Sequence, residues 1–347
     1  MKKGNTYISS RTVIGIYIFL FVMFILGTFD DYQISCALYN ESNPVAVFFA
    51  AFGECPAYLG LVAAGTMALT ACHRQHTLMG ILQCSNSRVR SSDSNGCSSG
   101  SNEYSPGSHV RSSDSSGCSS GSNECSSKSA VYPLINFLQC SGGIILLIVG
   151  GVLTCGSPGS YLDWPTAASI GVGLLLTAMT VAVTLSLCRG ADPAAVRRVA
   201  LVFSLSILGQ LLLVNVLKML WGRARMRLVV SDPRAYFMPW WQPDTALRSI
   251  LTAAGVAADE FKSFPSGHTA DGTMAMLLAA LPCIRPELEP HRKRLFWFGF
   301  IIACVTGFTR IIMGAHYLTD VTAGFLCGFT IMMLAFRLLP ETKSGSA

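Results

Sequence analysis

Charged side chains are the residues that this chain lacks most. Lys, Arg, Asp and Glu together make up 13% of its 347 residues, against about 25% in soluble globular proteins. A soluble chain of this length needs a charged exterior, whereas 51% of these residues are hydrophobic. The composition therefore excludes an ordinary soluble protein and indicates an integral membrane protein. A net charge of +6 spread over so apolar a chain also argues against a nucleic-acid partner.

Metal-ligand patterns are also lacking. The chain has 13 cysteines, but no pair of Cys or His residues has the spacing of zinc ligands. Most of the cysteines fall in apolar stretches or in a polar insert, where we expect small apolar side chains or free thiols. Cys36 and Cys155 both fall on the predicted outer side, so a disulfide between them is compatible with the sequence.

Long apolar stretches are abundant, and each is of a length that crosses a bilayer as a helix. Eight candidate spans lie at about 12–28, 45–72, 132–155, 166–188, 199–217, 267–284, 295–309 and 320–339. The first follows Lys2, Lys3 and Arg11 as in a signal peptide, but no small-residue cleavage site follows it, so we interpret it as an uncleaved span. The predicted fold is an all-α polytopic membrane helical bundle of about eight spans.

The distribution of Lys and Arg orients these spans by the positive-inside rule. The N-terminus, the insert 73–131, the loops 189–198 and 285–294 and the tail carry bases and are placed inside, so both termini are predicted to be cytoplasmic. The loop 218–266 breaks the rule, because it falls outside yet carries seven bases: Lys218, Arg223, Arg225, Arg227, Arg234, Arg248 and Lys262. Either the spans are miscounted or these cations bind an anion, and we favour the second interpretation.

The predicted organisation has four parts: membrane spans in 1–72, an insert at 73–131, further spans in 132–340 and a tail at 341–347. Residues 85–130 are rich in Ser, Gly and Asn, a composition that buries no core and predicts disorder. A 21-residue repeat lies here, with Arg88–Ser94 recurring as His109–Ser115. We interpret the insert as a spacer; phosphorylation of its serines is an alternative.

Two segments on the predicted outer side carry reactive groups. The first is 218–227, with Lys218, Arg223, Arg225 and Arg227 within ten residues. These cations either bind an anion or extend from the membrane edge into water. The second is 264–269, Phe-Pro-Ser-Gly-His-Thr, at the start of the sixth span. A helix N-terminus attracts phosphate, and a His transfers protons near neutral pH.

A third segment lies at the turn between the last two spans and contains Arg310, His316 and Asp320. If this stretch is helical, His316 and Asp320 share a face because they are four residues apart. A carboxylate there holds one imidazole nitrogen as N–H and leaves the other free as a nucleophile. An Arg nearby binds phosphate oxygens with two parallel hydrogen bonds.

Together, the three segments resemble the type-2 phosphatidic acid phosphatase (PAP2) superfamily. Its motifs are Lys-x6-Arg-Pro, Pro-Ser-Gly-His and Ser-Arg-x5-His-x3-Asp, and residues of about 200–340 match all three in order and spacing. Met226 stands where the family has Pro, and Thr309 where it has Ser. Neither departure removes a charged or proton-transferring group, although the missing Pro leaves the assignment among Arg223, Arg225 and Arg227 open. The resemblance also makes a six-span core compatible with the chain.

The resemblance implies a mechanism and a set of site residues. His316 would attack phosphorus to form a phosphohistidine, Asp320 would orient it, and His268 would serve first as acid and then as base. The phosphate would be bound by Lys218, Arg225, Ser266, Gly267 and Arg310, with Arg223 and Arg227 as additional candidates. Three cations at the phosphate make a metal unnecessary, so we expect no metal and no cofactor.

The function implied is hydrolysis of the phosphate monoester or pyrophosphate of a lipid, by a bacterial-type phosphatase of the inner membrane whose site faces the periplasm. The partners expected are a lipid phosphate and the membrane. A lipid or sugar phosphotransferase and a glucose-6-phosphatase-like hydrolase would use the same residues and stay open. A transporter or a lipid-binding protein is the non-enzyme alternative, although transporters place their polar groups near the bilayer midplane.

Overall fold

The computed structural model describes residues 8–93 and 122–339, with backbone alone for 75–93 and 122–135. Within these ranges the chain forms helices and connecting loops and contains no strand. The α-helices are α1 Ser10–Leu38, α2 Pro44–Phe52, α3 Cys55–Asp93, α4 Ser122–Gly156, α5 Thr166–Cys188, α6 Pro193–Trp221, α7 Met226–Ser231, α8 Thr245–Ala253, α9 Gly267–Thr273, α10 Arg292–Ile312 and α11 Leu318–Phe336. Short 3₁₀ helices lie at Pro158–Ser160, Ala258–Phe261, Met274–Cys283 and Pro286–His291. The all-α prediction is confirmed.

Seven segments of the described chain are long and apolar enough to cross a membrane. They contain α1, α2 with the start of α3, α4, α5, α6, α10 and α11. On α1, α4 and α5 the large apolar side chains are mostly exposed, for example Phe21 and Leu174. Side chains of this kind are stable only against lipid or another apolar surface. The protein is therefore an integral membrane protein.

The sixth predicted span, 267–284, is the one without a continuous α-helix. It consists of α9 followed directly by the 3₁₀ helix Met274–Cys283. Seven α-helical residues rise about 10 Å, and ten 3₁₀ residues rise about 20 Å, so the pair is as long as a bilayer core is thick. Ile8 and Arg337 line one common pocket, so the two ends of the described chain lie at the same end of the bundle. The cytoplasmic assignment of that end stays a prediction.

The centre of the bundle is formed by α3, α6, α9 and α11. Small residues permit this close packing, and the buried core includes Ala57, Ala64, Ile207, Phe329 and Met332. The helix α9 contacts α6, α10 and α11, whereas α1, α4 and α5 lie at the periphery. The motif-bearing segments thus converge around α9.

Several boundaries differ from the predicted ones. The first helix continues ten residues past the predicted span, to Leu38, and buries Asp31 within the bundle. Helix α3 continues to Asp93 and α4 begins at Ser122, so helix extends into both ends of the Ser-rich insert. A helix already formed by an apolar span propagates at little cost through residues of modest helix propensity. Residues 94–121, with much of the repeat, lie outside the described residues.

The cysteine pairing also differs. Cys72 and Cys140 form a disulfide between α3 and α4, where we expected free thiols. Cys36 and Cys155 are free, so the alternative disulfide between them is wrong. Sequence spacing alone does not reveal which cysteines meet, because the pairing depends on how α3 and α4 pack.

Residues 222–262 cover the end of the bundle opposite Ile8 and Arg337. The turn out of α6 is made by Gly222, whose φ of 64° lies in the left-handed region that glycine adopts without strain. Beyond it, α7, α8 and the 3₁₀ helix Ala258–Phe261 pack around a small apolar cluster that includes Leu228, Leu251 and Phe261. We call residues 222–262 the cap. The N–H of Ser263 donates to the carbonyl oxygen of Arg223, so the cap is tied to the segment that leads into α9.

Candidate active site

His316 lies in the turn between α10 and α11 and is 1% exposed. The turn is closed by backbone hydrogen bonds from the N–H groups of Ala315 and His316 to the carbonyl oxygen of Arg310. His316 Nδ1 lies 2.6 Å from the carbonyl oxygen of Ser263. A carbonyl oxygen only accepts, so Nδ1 carries the hydrogen and Nε2 keeps a free electron pair. The imidazole is therefore held in the tautomer that a nucleophile needs.

Asp320 lies close to His316, but it does not hold the ring directly. Its Oδ2 is 3.9 Å from His316 Nδ1. The carboxylate accepts hydrogen bonds from Arg223 Nη1 at 2.5 Å, from the Ser263 hydroxyl at 2.5 Å and from the Tyr317 backbone N–H at 2.8 Å. Asp320 thus fixes Ser263, and the carbonyl of Ser263 orients His316.

Two arginines carry N–H groups that lack a partner among the described residues. Arg310 is fully buried, and its Nε and Nη2 atoms have no hydrogen-bond acceptor there. The Nε of Arg225 is likewise buried without an acceptor, although its Nη2 lies 2.8 Å from Asp259. A buried donor without a partner costs about 1–3 kcal/mol, and more when it is charged. Such donors indicate a site for an anion.

Lys218 and the start of α9 approach each other closely. A Cβ placed on Gly267 would lie 2.9 Å from Lys218 Nζ, so only glycine leaves room for the ammonium group here. Ser266 caps α9, and its Oγ accepts a hydrogen bond from the hydroxyl of Thr269 at 2.9 Å. The backbone N–H of Ser266 donates to the carbonyl oxygen of Asp320 at 2.9 Å, which ties α9 to the start of α11. The preceding Phe264–Pro265 peptide bond is cis.

The electrostatics of His316 show which groups surround it. Burial lowers the pKa of His316 well below its ordinary value of 6.5, and the positive charges of Arg225, Arg310 and Lys218 lower it further. His268 contributes in the same direction. His316 is consequently a neutral imidazole at pH 7, within the field of three cations.

His268 is buried in the first turn of α9, between groups of the N-terminal helices. Its Nε2 lies 3.1 Å from the carbonyl oxygen of Ala50, and its Nδ1 lies 3.2 Å from Glu54 Oε1. The ring of Tyr161 packs edge-on against it, with 5.6 Å between the ring centroids. The guanidinium of Arg310 lies over the same tyrosine ring, 5.3 Å from its centroid. Tyr161 therefore connects the two motif segments.

Arg223 and Arg227 are bound by carboxylates. Arg223 donates to Asp31 at 2.9 Å and to Asp320 at 2.5 Å, and its guanidinium carbon lies 4.2 Å from the centroid of the Tyr317 ring. Arg227 makes two hydrogen bonds to Glu260. Of the three arginines Arg223, Arg225 and Arg227, Arg225 is the one with a buried N–H that has no acceptor among the described residues.

The fold thus brings Lys218, Arg225, Ser266, Gly267, His268, Arg310, His316 and Asp320 to one end of the bundle. Three residues of this region were given no functional role from the sequence: Ser263, Asp31 and Glu54. The two acids did carry a signal, because ionisable residues in apolar stretches are costly and are often functional. Ser263 carried none, since its backbone oxygen makes the contact.

The described part of the chain is all-helical and belongs to an integral membrane protein, with buried arginine N–H groups that lack an acceptor there near a neutral histidine. Comparison with known families agrees with this class. Residues 199–344 match the model of the PAP2 superfamily, which confirms the resemblance of the motifs.

Two kinds of curated relatives are similar to the chain. Phosphatidylglycerophosphatase B of Bacillus subtilis is 32% identical over 74 residues, which cover 21% of this chain and 36% of the relative. Lipid A 1-phosphatase of Rhizobium etli is 34% identical over 142 residues, which cover 38% of this chain and 50% of the relative. The matches therefore span from about a third to half of the relatives' length. No solved structure matches the chain.

Proposed function

We propose that this protein is an integral membrane phosphatase that hydrolyses the phosphate monoester or pyrophosphate of a lipid. The observation that carries the proposal is the buried guanidinium of Arg310, whose Nε and Nη2 have no acceptor among the described residues. It lies beside His316, whose tautomer leaves Nε2 free. The two relatives, both named as phosphatases of lipids, support the substrate class.

In the proposed reaction, His316 Nε2 attacks phosphorus as the bond to the leaving oxygen breaks. His268 gives its proton to that oxygen and then takes one from the water that cleaves the phosphohistidine. Arg310, Arg225, Lys218, the Ser266 hydroxyl and the Gly267 N–H bind the phosphate oxygens. Electrostatic stabilisation of this kind contributes much of the catalysis of phosphoryl transfer. Asp320 acts through Ser263 and keeps His316 oriented.

The reaction is tested with detergent-purified protein and a set of phosphorylated substrates: phosphatidic acid, phosphatidylglycerophosphate, a polyprenyl pyrophosphate, lipid A and glucose 6-phosphate. We expect phosphate release from at least one lipid and an acid-labile phosphoprotein after a rapid quench. His316→Ala should abolish both, whereas Glu41→Gln, at an exposed glutamate distant in sequence from the motifs, should change neither. Full activity of the His316 variant, or release from glucose 6-phosphate alone, would contradict the proposal.

We also propose that the site faces the extracytoplasmic space. The bases of the cap are then explained by the phosphate that Arg225 binds and by the carboxylates that pair with Arg223, Arg227 and Arg234. The bases at the other end of the bundle follow the positive-inside rule. A single cysteine at Gln242, exposed on the cap, should react with a membrane-impermeant maleimide in intact cells. A cysteine at Lys293, exposed at the opposite end, should react only after lysis. The reverse pattern would place the site in the cytoplasm.

A further inference from the structure

Glu54 is an acidic residue of the N-terminal helices that lies outside the segment matching the PAP2 superfamily. It occupies the turn between α2 and α3, and its backbone carbonyl accepts hydrogen bonds from the N–H groups of Ala57 and Tyr58. Its side chain is 21% exposed. A carboxylate between two apolar helices is costly unless it has partners, so its contacts indicate its role.

Both oxygens of the Glu54 carboxylate have partners. Oε1 lies 3.2 Å from His268 Nδ1, and Oε2 accepts a hydrogen bond from the Tyr58 hydroxyl at 2.8 Å. Tyr58 lies one helical turn further along α3, so this hydrogen bond fixes the direction of the carboxylate. Tyr58 of α3 therefore holds one carboxylate oxygen while the other lies against the ring of His268.

The surroundings of His268 suit its protonated form. The two ring nitrogens face two acceptors, the carboxylate of Glu54 and the carbonyl oxygen of Ala50. Only an imidazolium donates to both at once. Burial of the ring and the positive charges of Arg310 and Lys218 disfavour that charge. Glu54 is the acidic side chain in contact with His268, and its negative charge favours the imidazolium against these effects.

We propose that Glu54 is the positioning residue for His268 and that it keeps this histidine protonated. The leaving alcohol then receives its proton from His268. The inference rests on the proposed phosphatase function. As the bond between phosphorus and the leaving oxygen breaks, the electron pair of that bond stays on the oxygen, and the Nε2 proton of His268 moves to it. His268 is left neutral, with its Nδ1 hydrogen still donated to Glu54. The helices before the PAP2 segment would therefore complete the catalytic machinery.

The experiment uses the dependence of the rate on the leaving group. An alkoxide leaves poorly and needs the proton, whereas 4-nitrophenolate leaves well without it. The value of kcat/KM reports steps up to the first irreversible one, so it isolates formation of the phosphohistidine. The two substrates are 4-nitrophenyl phosphate and the alkyl phosphate monoester on which the wild-type protein is fastest.

Glu54→Gln keeps the size of the side chain and removes its charge. General acids contribute roughly 10²–10⁴ to the rate, so we expect Glu54→Gln to lower kcat/KM for the alkyl ester by about tenfold to a hundredfold. For the 4-nitrophenyl ester the loss should be at most about threefold, because that leaving group needs little protonation. Glu54→Asp should recover part of the lost activity, since it restores the carboxylate.

Two further variants separate the proposal from loss of folding. Tyr58→Phe frees the carboxylate without removing it and should shift the ratio of the two kcat/KM values in the same direction by a smaller factor. Glu41→Gln is the matched control, because Glu41 also accepts a hydrogen bond from a tyrosine, Tyr39, at 3.0 Å but on the exposed surface. It should leave the ratio unchanged. Thermal unfolding of each variant in detergent reports on stability separately from the ratio.

The outcomes are distinct. Equal losses of kcat/KM for both esters in Glu54→Gln, or an unchanged rate for both, would overturn the role of Glu54 while the wild-type activity leaves the phosphatase function standing. A wild-type protein that releases phosphate from neither ester, nor from any lipid of the set above, would overturn the phosphatase function, and the role of Glu54 with it.

Discussion

The buried ion cluster of Asp31, Arg223 and Asp320 gives a quantitative prediction for stability. Arg223 is 1% exposed, and its two carboxylate partners are 3% and 0% exposed. Arg223→Met removes the one positive charge and leaves two carboxylates facing each other without it. Removing one partner of a buried ion pair costs about 3–5 kcal/mol. Because Arg223 makes two such pairs, we expect a loss of about 5 kcal/mol in the free energy of unfolding.

Removing one of the acids should cost less than removing the arginine. In Asp31→Asn, Arg223 keeps its ion pair with Asp320, and the amide oxygen still accepts the N–H of Thr319. The variant loses the charge of one hydrogen-bonded group, which lowers the free energy of unfolding by about 1–3 kcal/mol. The double variant leaves only one carboxylate, Asp320, without its cation. Its loss of stability should therefore be smaller than the sum of the two single losses by about 1–3 kcal/mol.

The measurement is equilibrium unfolding in mixed micelles of dodecyl maltoside and increasing SDS, followed by circular dichroism. The wild-type protein, the two single variants and the double variant form a double-mutant cycle. Strict additivity, or an Arg223 variant no less stable than Asp31→Asn, would refute the view that Arg223 neutralises both carboxylates. The contacts of Arg223 with Met238 and Tyr317 are lost in both variants that lack it, so they cancel in the coupling term.

Three further predictions concern the anion site. Arg310→Met should lower kcat/KM by about 10²–10³ while the fold is retained, because it removes donors aimed at the phosphate; a loss below tenfold, measured by phosphate release, would exclude that role. Gly267→Ala should raise KM with little change in thermal stability, since the new methyl group displaces the flexible end of Lys218; an unchanged KM would count against phosphate binding by Lys218. The pKa of His316 lies below its ordinary value of 6.5, and this histidine must be neutral to attack, so the acid limb of the kcat/KM profile, where the rate falls as the pH is lowered, should lie below pH 6.5; an acid limb that begins above pH 7 would contradict the burial of a neutral His316.

Much of the fold follows from local features of the chain. Each of the eight predicted spans coincides with helical structure, because an apolar stretch in a bilayer has to satisfy its backbone internally. The boundary of α1 was wrong for a physical reason. Asp30 and Asp31 read as the beginning of a loop, yet Asp31 is neutralised by Arg223, which lies 192 residues further along the chain. No local pattern contains that partner.

The candidate site, like the fold, was predicted from the sequence only in part. The spacing of the three motifs predicted that His268, His316 and Arg310 belong to one site, and the structure places all three at one end of the bundle. The spacing of His316 and Asp320 also suggested a direct hydrogen bond, but His316 Nδ1 lies 3.9 Å from Asp320 Oδ2 and 2.6 Å from the carbonyl oxygen of Ser263. A helical face was assumed there, whereas His316 lies in the turn before α11. The backbone conformation of a turn depends on what packs around it.

The sequence by itself determined that this protein lies in a membrane, that it is helical, and which histidines and cations belong to one motif set. These properties depend on composition and on spacing along the chain, which local physics converts into structure. Only the tertiary structure decided that Ser263 orients His316, that Arg223 neutralises two carboxylates, and that Glu54 contacts His268. Each of these contacts joins segments that are distant in the chain, and their meeting depends on the packing of the whole bundle.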